Sequence, residues 1–188
     1  SCEIESIRRT LMLAEYAEIE RFGVAGSLLR ELEPYRMLEK GAMFDGFVRQ
    51  FKCGFDLRNL QDLLWSDFPD HNPQYGAWFF FGFSIADVKH MAFPYFVRGD
   101  DIAFGLMNNF NIITMNGIAC WGDDFALKSG PLPAYLDTRS HLLNAMVLVD
   151  SNYNDLRKIS DHFIIKQLFS FNYASARASR MAVQHLMK

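Results

Sequence analysis

The sequence predicts an α/β protein in which strands and helices mix over the first two thirds of the chain and helices alone follow. Short runs of strand-forming residues occur at 23–29, 76–83, 111–115 and 117–121. Apolar residues recur at helical spacing near the amino terminus, and again over 135–149 and 159–188. We therefore expect a mixed part over residues 1–133 and a C-terminal helical region over residues 134–188.

The first half of the chain offers several local signals. A helix is expected where Ile7, Leu11, Leu13, Ala14 and Ala17 recur, with Ser6 as its cap. One strand is expected at 23–29, where two glycines indicate a bend or a close backbone approach. Further along, we expect a turn at Glu39-Lys40-Gly41-Ala42, a short helix over 57–65 and a loop over 67–76.

Composition limits the classes of function. The chain has 188 residues, of which 50% are hydrophobic, and its 18 phenylalanines suit a dense core or a groove that stacks on ligand rings. A net charge of −3 argues against a protein that binds nucleic acid through its phosphates. Three scattered cysteines imply neither a disulfide framework nor a C-x-x-C metal site, and they fit a reducing compartment.

An aromatic run and a pair of adjacent carboxylates form the candidate site. The run from Trp78 to Phe83 reads as a short buried strand, with Phe80 and Phe83 on the side of Trp78 and Phe79 and Phe81 on the other. Ser84 and Asp87 then predict a capped helix. Asp100 and Asp101 open a later apolar segment that we also expect to be helical.

Two interpretations of Asp100 and Asp101 are open on the local residues. As a helix cap and a first-turn acid, they need no further role, and capping preference favours this interpretation. As a site, one carboxylate is ionised as a general base while the other orients it, since adjacent like charges separate their pKa values. A magnesium or manganese site would need a third ligand from elsewhere. No G-x-S-x-G, H-E-x-x-H or G-x-x-x-x-G-K-[ST] motif is present, which argues against the common hydrolases, zinc proteases and nucleoside triphosphatases.

The segment Arg98-Gly99-Asp100-Asp101-Ile102-x-Phe104-Gly105-Leu106 resembles the acidic segment of family 2 inverting glycosyltransferases of the GT-A fold. The galactofuranosyltransferase-like subgroup is the most similar. The resemblance extends along the chain in order, and its pieces are Ala25–Leu28 through Glu39–Ala42, the Trp78-Phe79-Phe80 strand, the Gly117–Trp121 strand, the segment Tyr135–Arg139 and the terminal helix Leu168–Lys188.

The resemblance implies the transfer of a sugar, with galactofuranose as the first candidate, from a nucleotide-sugar donor to a saccharide hydroxyl with inversion, in cell-surface polysaccharide synthesis. It assigns the general base to Asp101 and a contact with acceptor hydroxyls to Asp100. It also implies an acceptor wall formed by Trp78 and Phe79, and it adds Glu39 and Trp121 as acceptor-binding residues. A divalent metal, Mn or Mg, is expected for the full-length enzyme.

Two departures from the family pattern concern the metal and the donor. The Asp-x-Asp metal motif and the nucleotide-binding part are expected upstream of Ser1, so the resemblance implies an acceptor-side fragment that is inactive alone. Gly122 stands where relatives carry a histidine metal ligand. Asp123 and Asp124 either substitute for that ligand, since carboxylates suit Mn or Mg, or form a solvated loop.

A second hypothesis belongs to another class, a non-catalytic carbohydrate-binding or assembly module derived from such an enzyme. Residues 157–188 carry six Lys or Arg side chains and one Asp, which suits peripheral contact with an anionic membrane, a solvated helix face or packing against a second copy in a homo-oligomer. The expected location is cytoplasmic, with the inner face of the membrane included.

Overall fold

The protein is a mixed α/β structure built from small sheets and helices, as the sequence predicts. A computed structural model describes residues 2–92, 98–123 and 129–187. Within these ranges there are eight strands and six α-helices, and no helix is both long and apolar enough to cross a membrane. The chain forms two compact units. The first unit comprises residues 1–44, 48–91 and 104–124, and the second comprises residues 45–47, 92–103 and 125–188.

The strands of the first unit form three small sheets. In order along the chain they are β1 (Phe22–Ala25), β2 (Ser27–Arg30), β3 (Met37–Lys40), β4 (Ala42–Phe44), β5 (Val48–Gln50), β6 (Phe81–Phe83), β7 (Asn111–Ile113) and β8 (Ala119–Gly122). The first sheet has the order β6-β1-β7 and the second has the order β3-β2-β8. In each, the central strand has one antiparallel and one parallel neighbour. The third sheet is the antiparallel pair β4-β5.

The single strand predicted at residues 23–29 is wrong, because the chain divides there into β1 and β2, which belong to different sheets. Gly26 lies at the division. A methyl group on Gly26 would lie 2.8 Å from the ring of Phe80, so the close approach of that ring requires glycine. The sequence signal for a bend was correct, and its structural consequence is a change of sheet.

Helix α1 (Ile4–Tyr16) confirms the predicted helix but not its cap. Glu3 occupies the cap position, and Ser6 lies inside the helix. The Ser6 hydroxyl donates to the Ala119 carbonyl at 2.9 Å, and the Ala119 N–H donates to the Ser6 oxygen at 3.1 Å. A serine in the first turn therefore attaches the helix to strand β8, because this hydroxyl pairs with both backbone groups of one strand residue.

The turn predicted at residues 39–42 is also wrong. Residues Glu39 and Lys40 complete β3, and only Gly41, with a φ of +74°, connects that strand to β4. The Lys40 side chain is 1% exposed. Its ammonium group donates to the Ser66 carbonyl at 2.9 Å, to Asp67 Oδ1 at 2.9 Å and to Asn116 Oδ1 at 2.7 Å. All three ammonium donors thus have acceptors, which is the condition for burying a lysine.

Two of these acceptors, Ser66 and Asp67, lie at the carboxyl end of helix α2 (Leu60–Ser66). This helix confirms the predicted short helix, and Asn59 caps its start. Lys52 makes a similar contact nearby, where its ammonium group donates to the carbonyls of Trp65 at 2.8 Å and Phe68 at 3.2 Å. Cations at a helix C-terminus bind its free carbonyl groups and oppose its negative dipole end. The two lysines therefore hold the carboxyl end of α2 within the first unit.

Helix α3 (Asp100–Asn108) begins with the acidic pair, as predicted, and both carboxylates lie in its first turn. The helix predicted at Ser84 is reduced to a single 3-10 turn, Ile85–Asp87, and the Ser84 side chain makes no capping hydrogen bond. Three helices complete the chain, namely α4 (Pro131–Leu148), α5 (Tyr153–Phe169) and α6 (Tyr173–Leu186). The predicted helical stretch over 159–188 is divided between α5 and α6, because the chain turns at residues 170–172.

The helices of the second unit pack through small side chains. On α6 the buried residues are Ser175, Ala176, Ser179 and Ala182, which recur at intervals of one, three and three positions. Such a face lets a neighbouring helix approach closely. The Ser179 hydroxyl lies 3.4 Å from the Ala134 carbonyl of α4 and donates to it. On α5, Ile159 packs over Gly46, where a methyl group would lie 2.8 Å from the Ile159 side chain.

Replacing Lys40 tests whether the buried ammonium group holds α2. We expect Lys40→Met to lower the free energy of unfolding by about 2–4 kcal/mol, because three acceptors lose a charged donor. Chemical denaturation followed by circular dichroism measures the change. Lys89→Met is the matched control, since Lys89 is exposed, and it should change the free energy of unfolding by less than about 0.5 kcal/mol. Equal stability of the two variants would contradict the assignment.

Candidate functional site

The acidic pair lies at the start of α3, in the second unit, and two side chains of α4 hold the residues before it. The Arg98 guanidinium donates from one nitrogen to both carboxylate oxygens of Asp137, at 2.8 and 2.6 Å. The Asn144 amide donates to the Gly99 carbonyl at 3.0 Å, and Asn144 is fully buried. The same carbonyl accepts the Ala103 N–H at 3.1 Å, the first hydrogen bond of the helix. The place where α3 begins is therefore set by α4.

The backbone before the acidic pair is unusual. Arg98 and Gly99 both have positive φ values, +70° and +86°. Gly99 is required for a second reason, because a methyl group there would lie 2.9 Å from Ser140 Cβ and 3.1 Å from Asn144 Nδ2. Left-handed backbone at a non-glycine residue such as Arg98 costs free energy, and the contact with Asp137 compensates for part of it.

Asp101 has the perturbed ionisation expected of a site residue. Burial raises its pKa to about 6, the negative charge of Asp100 adds to the effect, and hydrogen bonds from the backbone oppose it. One of these is the Ile102 N–H, which donates to Asp101 Oδ1 at 2.8 Å. A first-turn acid ordinarily has a lowered pKa, because the positive helix end favours the carboxylate. Here desolvation is the larger effect.

The aromatic wall lies in the first unit and is divided between two clusters. Trp78 packs with rings of β6 and α3, with ring centroids 5.0 Å from Phe104 and 6.3 Å from Phe81. Phe79 packs instead beside Leu28 and Cys120. The prediction that the run alternates as one strand from Trp78 is therefore wrong. The strand begins only at Phe81, so residues 78–80 form a turn that sends neighbouring rings in different directions.

Trp78 is partly exposed to solvent. Its exposed fraction is 42%, and its ring also belongs to a cluster whose other members are Phe81, Phe83, Phe104 and Phe110. A large ring that is packed in a cluster and partly exposed can stack on the apolar face of a sugar or on another flat ligand. Phe79 is partly buried in its own cluster, so the structure does not join the two rings in one wall.

The other predicted acceptor-binding residues are also in the first unit. Glu39 is buried in β3 and accepts a hydrogen bond from Gln50 Nε2 at 2.8 Å. Trp121 lies on β8, and its indole N–H donates to the Pro34 carbonyl at 3.3 Å. It lines a cavity of about 250 Å³ whose other walls include Leu29 and Met37. Glu39 and Trp121 therefore lie on the two strands that flank β2 in the second sheet.

The residues predicted for a metal do not form a complete ligand set in the described part of the chain. Asp123 is exposed at the end of β8, and Asp124 lies outside the described residues. Over residues 2–92, 98–123 and 129–187, no group of three or more His, Cys, Asp or Glu side chains is placed to hold a metal ion. A metal site would need ligands from beyond these residues, and the expectation of an upstream Asp-x-Asp stays a prediction.

The sequence reasoning missed Asn144 and Asp137. Asn144 interrupts an apolar run, Leu142-Leu143-Asn144-Ala145-Met146, and a polar residue on the buried face of a helix signals a required hydrogen-bond partner. Asp137 lies within the segment Tyr135–Arg139, which was singled out for its resemblance alone.

No protein-family model matches the chain, and no curated protein sequence matches it significantly.

Paired glycine substitutions separate backbone strain from crowding at the acidic pair. Gly54 has a φ of +88° with nothing within 4 Å of an added methyl group, so Gly54→Ala should cost about 1–2 kcal/mol of unfolding free energy from the backbone alone. Gly99 has nearly the same φ but meets Ser140 and Asn144. Gly99→Ala should therefore cost about 1–3 kcal/mol more. Denaturant unfolding of both variants measures the difference, and equal losses would show that α4 does not crowd this position.

Asp101 should also make stability depend on pH. Its pKa is higher in the folded protein, about 6, than the usual unfolded value near 3.9, so the folded state binds more protons between these values. Stability conferred by the protonated carboxyl is present below pH 4 and is lost as the pH rises to 6. The free energy of unfolding of Asp101→Asn, minus that of the parent, should therefore be about 2–3 kcal/mol larger at pH 8 than at pH 4. Urea unfolding of both proteins at both pH values measures this change. A variant-minus-parent difference that is the same at the two pH values would contradict the prediction.

Proposed function

We propose that this chain is the acceptor side of an inverting glycosyltransferase that transfers a sugar from a nucleotide-sugar donor to a saccharide hydroxyl. The proposal depends mainly on Asp101. This carboxylate lies at the start of a helix that α4 holds in place, and its pKa is about 6. The resemblance of the segment Arg98–Leu106 to the acidic segment of family 2 enzymes supports the same role. A GT-A-like fold belongs to this proposal.

The chemistry requires a base at this position. A sugar hydroxyl is too weak an acid to ionise at neutral pH, so its proton must be removed as its oxygen attacks. In the proposed step, an Asp101 carboxylate oxygen takes the hydroxyl proton while the acceptor oxygen forms a bond to the anomeric carbon of the donor. The bond from that carbon to the phosphate oxygen breaks, and the nucleoside diphosphate leaves. A base with a pKa near 6 is ionised at neutral pH yet more basic than an ordinary carboxylate.

Asp100 in the second unit and Trp78 in the first unit each suit contact with a saccharide. Asp100 precedes the base in the first turn of α3 and is partly buried, so its carboxylate can accept hydrogen bonds from sugar hydroxyls. Trp78 is a partly exposed ring on which a sugar can stack. Galactofuranose is the first candidate for the transferred sugar, on the resemblance alone.

The complete gene product that contains this chain provides the test. Incubation with a panel of nucleotide sugars and saccharide acceptors should release nucleoside diphosphate and form a new glycosidic bond. Asp101→Asn should lower kcat by about 10²–10⁴-fold because the base is lost. In the parent protein, kcat/KM should rise about tenfold per pH unit below pH 6 and level off above it, since only the ionised carboxylate accepts the proton.

Asp155→Asn is the matched control for the base. Asp155 is a first-turn acid of α5 and is also partly buried, but its partner is Lys158 at 3.3 Å. Its loss should leave turnover unchanged. Turnover that survives Asp101→Asn would contradict the base assignment.

The binding-module alternative is favoured by the partial exposure of Trp78, and the same preparation distinguishes it from an enzyme. Saccharide binding without turnover of any donor, with binding lost in Trp78→Ala and kept in Trp65→Ala, would support that alternative. Trp65 is a suitable control because it is similarly exposed, on α2.

A further inference from the structure

Cys2 and Cys120 lie directly opposite each other in the first unit. Cys120 is a buried residue of β8, and Cys2 precedes helix α1. The backbones of Cys2 and Cys120 pair in an isolated antiparallel bridge. Residues opposed in an antiparallel pair have Cα atoms about 4.5–5.5 Å apart and side chains on the same face. A disulfide needs Cα atoms about 4.4–6.8 Å apart. Both kinds of antiparallel pair satisfy this requirement.

Neighbouring contacts hold the two cysteines in register. The Ser6 hydroxyl binds both the N–H and the carbonyl of Ala119, the residue before Cys120. The Cys2 thiol also points toward β8, since its sulfur lies 4.0 Å from the Ala119 carbonyl oxygen. The start of α1 is therefore already attached to β8, and joining the sulfurs requires little further ordering of the chain.

We propose that Cys2 and Cys120 form a reversible disulfide that links the segment before α1 to strand β8. Both are free thiols in this structure, and the remaining cysteine, Cys53, is exposed after β5. The assignment is independent of any transferase activity. It adds a modification site that couples the attachment of α1 to the redox state of the surroundings.

The two thiols have different roles in the exchange with a disulfide oxidant such as oxidised glutathione. The exposed Cys2 thiolate attacks one glutathione sulfur, and the first glutathione thiolate leaves. The Cys120 thiolate then attacks the Cys2 sulfur of the mixed disulfide, and the second glutathione leaves. Two protein thiols are oxidised, and one glutathione disulfide is reduced to two glutathione molecules.

The second step should be the slower one. Burial raises the pKa of the Cys120 thiol to about 11, and the neighbouring Cys2 thiol contributes to the shift. Only the thiolate attacks. At pH values below that pKa, each increase of one pH unit should therefore accelerate ring closure about tenfold. A mixed disulfide on Cys2 should therefore accumulate first at neutral pH and convert to the internal disulfide as the pH is raised.

The test uses reduced protein, oxidised glutathione at pH 7 and pH 9, acid quenching and tryptic digestion without reductant. Cleavage after Arg8, Arg98 and Lys128 places the two cysteines in separate peptides, one that ends at Arg8 and one that spans 99–128, while Cys53 falls in peptide 53–58. Mass spectrometry should find the peptide that ends at Arg8 joined to peptide 99–128, with formation faster at pH 9. The thermal midpoint should rise by several degrees on oxidation and return on reduction, since the link closes a long loop.

Single serine variants supply the controls. Cys120→Ser should stop at glutathione bound to Cys2, whereas Cys53→Ser should form the internal disulfide as the parent does. A mixed disulfide on Cys2 that persists in the parent at pH 9, or an internal link that includes Cys53, would overturn the proposal. Neither outcome bears on the role of Asp101, which is tested by turnover.

Discussion

The hydrogen bond from the Asn144 amide to the Gly99 carbonyl is the contact on which the acidic pair depends. That carbonyl also accepts the first helical N–H of α3, so one buried oxygen both begins the helix and attaches it to α4. Buried polar groups without partners cost free energy, which makes such a contact specific. Because Gly99 leaves no room for a side chain beside Ser140, the start of α3 has little freedom to shift.

Burial is the main determinant of the ionisation of Asp101. The positive end of a helix favours a carboxylate by about 0.3–1 kcal/mol, which is less than one pKa unit. Desolvation can act several times more strongly, and the adjacent charge of Asp100 acts in the same direction. A helix end that was free in solvent would keep an ordinary carboxylate. The buried position of Asp101 therefore gives the proposed catalytic group its basicity, at a cost in stability at neutral pH.

The first unit uses its aromatic and charged residues in ways that local patterns do not reveal. Phe80 packs against the backbone of Gly26, and this close approach accompanies the division of one apolar run between two sheets. Lys40 resembles a turn residue beside Gly41, yet its ammonium group is buried against acceptors that lie 26 to 76 positions away. Neither arrangement follows from neighbouring residues, because each depends on partners that only the folded chain brings close.

The sequence by itself determined the mixed α/β class, the helices α1 and α2, the helix that begins with Asp100 and Asp101, and a helical end to the chain. Each of these depends on periodicity or on capping residues within about ten positions, so local physics is sufficient. Tertiary structure alone decided where α1 is capped and which sheet each half of residues 23–29 joins. It also decided that Trp78 and Phe79 separate, that α4 holds the acidic pair and that Cys2 faces Cys120. The physical reason is that burial, buried hydrogen-bond partners and close ring contacts are set by residues distant in sequence, and their energies exceed local preference.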